Sequence, residues 1–325
     1  MTKILQAHPV RLVLAAAALV AVAALAVVST ATARNASSCG TVTLNEQAWS
    51  GSTANTYVAK YVLEKYLGCK VKVTNITEIP VYEAMAKGKV DAVLEDWQHV
   101  DQYKQYVTKQ KTVVLVGSNG LTGHIGWFIP RYVMQAHPSF KTWKGLKGNE
   151  KVFASPEAPD GMFLGGDPSY VQKDKELIES LPLKLTHVTV GAETAETARF
   201  TQLIKQHKPV IFYWWTPQYL SKQLDLVEVK LPAIWKGCKE DASAGGDPKQ
   251  YRCAYSSYPL EKLFSKKFAA SGSPAVAVLK RFKWPSNDAQ NLVAKWIAGD
   301  HMKPDKAAEK WVKLNMAVVN KWLGK

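Results

Sequence analysis

The sequence predicts an α/β fold in two lobes, with a hinge where the chain crosses twice between them. Three observations predict it. Residues 41–94 alternate strand and helix patterns, a β-α-β series whose default is a parallel sheet. A second series of the same kind follows a stretch punctuated by Gly117, Gly120, Gly123 and Gly126. About 290 residues follow an apolar leader, more than a single core usually organises.

Taken in order, residues 1–33 read as a signal peptide. Lys3 and Arg11 precede a long Ala/Val/Leu run to Val28, and Ala31-Thr32-Ala33 forms an A-x-A processing site. The run is also long enough for a membrane anchor, so retention stays open beside the expected cleavage. Ala36-Ser37-Ser38-Cys39 lacks the large aliphatic residue of a lipidation site. Export to a periplasmic or cell-surface location is the expectation.

Strand patterns at 41–44 and 70–73 flank a helix with apolar residues at 58, 62 and 66 beside 59, 63 and 67, closed by Gly68. Ser50-Gly51-Ser52-Thr53 supplies N-cap residue types at its start. A second helix (Tyr82 to Lys87) and a strand (Val90 to Leu94) repeat the theme, with Trp97 just past the strand. Beyond the glycines come strands at 127–130, 152–154 and 185–189, a helix near 193–206, and a further strand at 226–229 that returns to the first lobe. Helices around 260–264, 289–298 and 307–322 finish the chain. The expected division is 34–120 in the first lobe, 121–220 in the second and 221–325 back in the first, with crossings near 120 and 220. Gly165-Gly166-Asp167-Pro168 recurs as Gly245-Gly246-Asp247-Pro248; both read as turns.

Four cysteines show no C-x-x-C and no zinc-type spacing, so no metal is expected. Cys39 and Cys69 each immediately precede a strand. Neighbouring parallel strands would start their sulfurs side by side, making Cys39–Cys69 plausible. Cys238 and Cys253 flank the polar loop 239–252, and these two pairings are favoured over the other connectivities. The net charge is +15. The basic residues spread along helical faces and no RNA-binding pattern appears, so the excess suits an anionic envelope better than nucleic acid.

The most informative stretch is Val210-Ile211-Phe212-Tyr213-Trp214-Trp215-Thr216-Pro217. Its β-branched and aromatic start suits a strand buried on both faces. Pro217 cannot continue a central strand, so two large rings are delivered to the carboxyl end of a strand, where open α/β sheets bind ligands. Trp214 and Trp215 alternate along the strand and point to opposite faces; Trp214 is the one expected in the core.

Three segments together resemble the substrate-binding proteins of glycine betaine/choline-type ABC importers. They are Trp49-Ser50-Gly51-Ser52 with Leu63 to Val71, Met85 to Ala92 leading to Glu95-Asp96-Trp97, and Pro209 to Pro217. Ile129 to Val133 and Gly145-Leu146-Lys147-Gly148 fit as well, and the likeness covers nearly the whole mature chain in order. The resemblance implies a two-lobe periplasmic-binding-protein-like fold (type II) that closes on a quaternary ammonium solute and docks on a membrane permease. It implies no cofactor and no catalysis, and a monomer is expected.

Such a cation cannot donate hydrogen bonds and is held by aromatic faces, each supplying about 2 kcal/mol when desolvated. Three faces approach ~6 kcal/mol, beside ~8 kcal/mol for micromolar binding. By resemblance, Trp97 and Trp215 are cage walls, and Trp49 is a third candidate at the mouth of the first β-α turn. A ligand carboxylate would need N–H donors from a loop or helix N-terminus. The chain departs from the family twice. The W-x-P-H motif reads Trp215-Thr216-Pro217-Gln218, with Gln218 as the remaining donor. The family's tryptophan-bearing loop reads Pro159-Asp160-Gly161-Met162-Phe163, so a wall comes from Met162, Phe163 or Trp127 beside Gly161. Both departures turn the expectation from glycine betaine toward choline, carnitine or another methylammonium compound.

Trp235, Trp284, Trp296, Trp311 and Trp322 fall where packing is the expectation. Glu95 and Asp96 read equally as a source of negative potential or as solvated loop carboxylates, and His99 as a surface histidine. No H-E-x-x-H, nucleophile elbow, P-loop or calcium loop is present. The alternative function is an exported carbohydrate-binding or glycan-active protein, with Glu157 and Asp160 as an acid pair and the tryptophans stacking on sugars.

Overall fold

The computed structural model describes residues 39–243 and 245–325, so the leader reading of residues 1–33 lies outside the described residues. The first half runs β1 (Thr41–Asn45), α1 (Ser50–Leu67), β2 (Lys70–Thr74), α2 (Glu78–Ala86) and β3 (Ala92–Asp96) into a long β4 (Val113–Pro130). Then come β5 (Met162–Gly165), α3 (Asp174–Ser180), β6 (Thr186–Thr189), α4 (Glu193–Lys205), β7 (Ile211–Thr216), β8 (Leu226–Glu228) and β9 (Ser257–Ser265). α5 (Pro274–Arg281), α6 (Asn287–Ala294), α7 (Pro304–Leu314) and α8 (Met316–Leu323) close the chain. Among the described residues no helix is long and apolar enough to cross a membrane.

All nine strands join one sheet, ordered β2-β1-β3-β9-β4-β7-β5-β6, with β8 on β4. The β-α-β patterns fold as they read: β1 pairs in parallel with β2 and β3, and β5 in parallel with β6 and β7. Between these two parallel groups lie β9 and β4, antiparallel to each other and to β3 and β7. Val58, Val62 and Leu63 of α1 are fully buried over the first group, each worth about 1.5–3 kcal/mol. Gly68 ends that helix in the left-handed conformation (φ 65°) that a residue with a Cβ avoids. Parallel register between β1 and β2 sets Cys39 beside Cys69, bonded at a Cα separation of 4.8 Å, and Cys238 is bonded to Cys253 at 6.4 Å.

Four element expectations are corrected. The glycine-rich stretch is no loop but the middle of β4; its register against β9 shifts between Leu115 and Gly117 and again between Ser118 and Thr122, which absorbs the glycines. Residues 260–264 are β9, not a helix. Leu260, Leu263 and Phe264 are spaced like a helical stripe, yet they lie with Lys262 fully buried in a strand that has partners on both edges. Glu150–Phe153 is a 3₁₀ turn rather than a strand. The strand at 226–228 pairs with Phe128–Pro130, at the end of β4 beside β7, and not with β1, β2 or β3; it is β9 that pairs with β3. The Ser/Thr cluster also leaves α1 uncapped by its own side chains, because the N-cap residue is Trp49.

Candidate ligand-binding site

Four rings that meet at one cavity each come from the end of a strand or the segment that follows it. Trp49 follows β1, Trp97 follows β3, Tyr170 follows β5 and Trp215 ends β7. With Tyr213, Val171 and Glu78 they line a cavity of about 220 Å³ of empty space. Trp49 stands edge-on to Tyr170, with centroids 5.6 Å apart, and Tyr170 is edge-on to Trp215 at 5.8 Å. Tyr213 and Trp215, two residues apart on one strand, share a face with centroids 6.0 Å apart.

Glu95, buried in β3, fixes two walls at once. Its Oε1 accepts the indole N–H of Trp49 at 2.7 Å and of Trp97 at 3.1 Å, while Oε2 accepts amide N–H groups of Asn55 and Gln290, both at 2.6 Å. Burial raises its pKa against the pull of these partners. All four are N–H donors, so only the ionised carboxylate can accept from every one. Glu95 is therefore no solvated loop carboxylate but a buried keystone that orients the rings. Asp96 is buried too, accepting the Tyr82 hydroxyl at 2.6 Å.

Glu78, the first residue of α2, lines the cavity, and its Oε1 has no hydrogen-bond partner among the described residues. Its Oε2 lies 3.4 Å from Nε2 of His99, whose Nδ1 is 2.8 Å from Asp241. His99 is therefore fully buried rather than a surface residue. Burial pushes the Glu78 pKa up to about 7. Burial pulls His99 down, but the hydrogen bond to Asp241 and the nearby Glu78 carboxylate win and raise it to about 10.

Glu193, the first residue of α4, completes the ring of turns. Its carboxylate accepts the Ser50 backbone N–H at 2.8 Å, the Ser50 hydroxyl at 2.7 Å and the Gln218 amide at 3.0 Å. It thus provides the cap that α1 lacks, and Gln218 spends its N–H on Glu193 while its oxygen accepts from Leu220 N.

Of the residues singled out, Trp49, Trp97 and Trp215 come together at the cavity. Trp127 does not: it is fully buried, donates to Asp174 Oδ1 at 2.6 Å and packs on Phe163. Trp214 is core, edge-on to Phe200 and bonded to Ser221 Oγ at 3.0 Å. Met162 begins β5 with its sulfur 3.5 Å from the Ser155 hydroxyl. Gly161 is structural: at φ 136° a Cβ would sit 2.4 Å from the Glu150 carbonyl oxygen. None of these four borders the cavity. Sequence reading missed Tyr213, Tyr170, Glu78 and Glu193. Tyr213 was legible, since it shares the Trp215 face by strand alternation. Tyr170 ends the turn begun by Gly166, where a Cβ would meet the Tyr170 and Tyr213 rings, both at 3.1 Å.

Trp284, Trp311 and Trp322 pack as expected, whereas Trp235 is 46% exposed. Glu157 is ion-paired with Arg199 and Asp160 with Lys151, all four side chains at least 41% exposed. The acid pair required for glycoside chemistry faces solvent, away from the rings.

The substrate-binding domain of ABC-type glycine betaine transport systems (OpuAC) matches residues 40–314. Among solved structures, lactococcal OpuAC complexed with glycine betaine is 22% identical, with a TM-score of 0.69 over 87% of this chain and 99% of that one. A glycine betaine/L-proline-binding protein (ProX) of Borrelia burgdorferi is 20% identical, with a TM-score of 0.68 over 87% and 96%. An ABC-transporter choline-binding protein complexed with choline is 19% identical, with a TM-score of 0.69 over 88% and 92%. These likenesses carry the two-lobe binding-protein fold.

Proposed function

Because this chain belongs to the family of substrate-binding domains of ABC-type glycine betaine transport systems, we propose that its cavity is an aromatic cage for one small quaternary ammonium ion. The observation that carries this is the convergence of Trp49, Trp97, Tyr170 and Trp215 on one cavity. Ring faces attract a cation that has no proton to donate. Glu78, Glu95 and Glu193 add negative potential around them. A sugar would need hydroxyl-matching polar groups around the rings, and the glycan alternative is not favoured.

The two parallel strand groups act as lobes that close on the ligand by bending along β4 and β9. Residues 39–120 and the C-terminal helices form one lobe. The stretch 221–256 goes with 121–220 in the other, since β8 pairs with β4 beyond the cavity. The family is one of transport binding proteins and not of enzymes. The chain works as a monomer outside the cytoplasm and delivers its ligand to a membrane permease.

Tryptophan fluorescence during titration with choline, glycine betaine, carnitine and proline betaine, with a neutral disaccharide as control, tests the reading. A saturable response to a methylammonium compound, lost in Trp215→Ala and kept in Trp296→Ala, is expected. Response to the disaccharide alone would overturn it.

A further inference from the structure

A carboxylate-bearing ligand needs N–H donors, and in a site of this architecture those donors are the starts of helices. Three helices begin at this crevice, and each is already supplied with a carboxylate of the protein's own. The Ser50 N–H at the start of α1 is taken by Glu193, α2 begins with Glu78 and α4 begins with Glu193 itself. The Gln218 amide, the remaining donor after Trp215, is also turned onto Glu193. A ligand carboxylate would therefore meet anions at each place where it seeks a donor.

One polar atom in the cavity wall is open to a ligand. Glu78 Oε1 belongs to a side chain 97% buried, borders the same cavity as the rings, and has no hydrogen-bond partner among the described residues. A buried acceptor left unsatisfied is costly, and in the ionised form, which the His99 ring 3.4 Å away favours, a carboxylate oxygen can take an O–H but not a second carboxylate. We propose that the site selects quaternary ammonium alcohols over ammonio-carboxylates, with Glu78 Oε1 accepting the ligand hydroxyl and Glu193 holding the α1 N-terminus against a ligand anion. The inference rests on the cage reading above and adds which tail the cation carries.

Isothermal titration of the purified protein with choline, choline O-methyl ether, tetramethylammonium, glycine betaine and carnitine tests it. Choline is expected to bind about 10- to 100-fold more tightly than its O-methyl ether, the usual worth of a hydrogen bond to a charged group. Glycine betaine and carnitine are expected to fall at least as far behind. Glu78→Gln, nearly isosteric, is expected to shrink the gap between choline and the ether to about threefold or less while tetramethylammonium still binds. Glycine betaine or carnitine binding as tightly as choline overturns the inference and leaves the cage standing, as does an ether that matches choline in the unmodified protein, a result independent of how the variant folds. Failure of every methylammonium probe overturns both.

Discussion

Two groups of tryptophans, equally buried, do different work. At the cavity, Trp49 and Trp97 give their N–H groups to the Glu95 carboxylate and line the wall. In the C-terminal layer, Trp284 and Trp311 pack edge-on at 4.7 Å and Trp311 stacks on Trp322 at 5.7 Å. There Trp284 gives its N–H to the Asn55 side chain and Trp322 to the Lys283 carbonyl. None of the five is more than 6% exposed, so burial does not separate them. What lies over the ring face does, together with whether the anchor is a charge or a neutral dipole. Asn55 touches both groups, bonding Glu95 on one side and Trp284 on the other.

The comparison can be broken most forcefully by Trp311→Ala. It should cost about 3–5 kcal/mol of stability, the usual range for a buried large-to-small change, while the folded fraction keeps its ligand affinity. Thermal unfolding and titration of the same sample separate the two. Trp97→Ala should do the converse, weakening a methylammonium ligand about 30-fold through one lost cation–π face; affinity unchanged within threefold would remove Trp97 from the cage. Glu95→Gln places an N–H₂ against N–H donors and should cost about tenfold in affinity by loosening both walls, measured by the same titration.

The smallest effect is on pH. Burial raises the Glu78 pKa to about 7, and the groups facing it are His99, which lowers it, and Asp96 and Asp241, which raise it. A bound cation favours the ionised form, so binding near or below pH 7 expels a proton. Affinity should be level above pH 7 and fall as pH drops through it, by no more than about tenfold per unit. Glu78→Gln should flatten the profile, and a profile unchanged by that substitution would remove Glu78 from the wall.

The periodic parts were readable: α1 and its flanking strands, the Trp97 turn and the Trp215 strand all follow from local pattern. So were the cysteine pairings, because parallel register sets Cys39 and Cys69 side by side. Residues 260–264 were not, since Leu260, Leu263 and Phe264 carry helical spacing and only the assembled sheet shows them buried in one strand. Lys262 adds to the disguise, being fully buried with Nζ 2.7 Å from the Lys280 and Phe282 carbonyls at the end of α5. Glu78 and Glu193 were equally hidden. An acidic residue in the first turn of a helix is an ordinary surface arrangement, and only the assembled crevice shows that these two face inward.

The β4–β9 ladder has a mechanical consequence. It runs from Val113 opposite Ser265 to His124 opposite Ser257, so any rocking of the lobes must wind or unwind these two strands as one torsion spring. Its slack lies at the register shifts between residues 115 and 122, where Gly120 holds φ 91° and a Cβ would sit 2.5 Å from the Trp284 carbonyl oxygen. Stiffness written into that short segment would govern how fast cargo is taken up and surrendered.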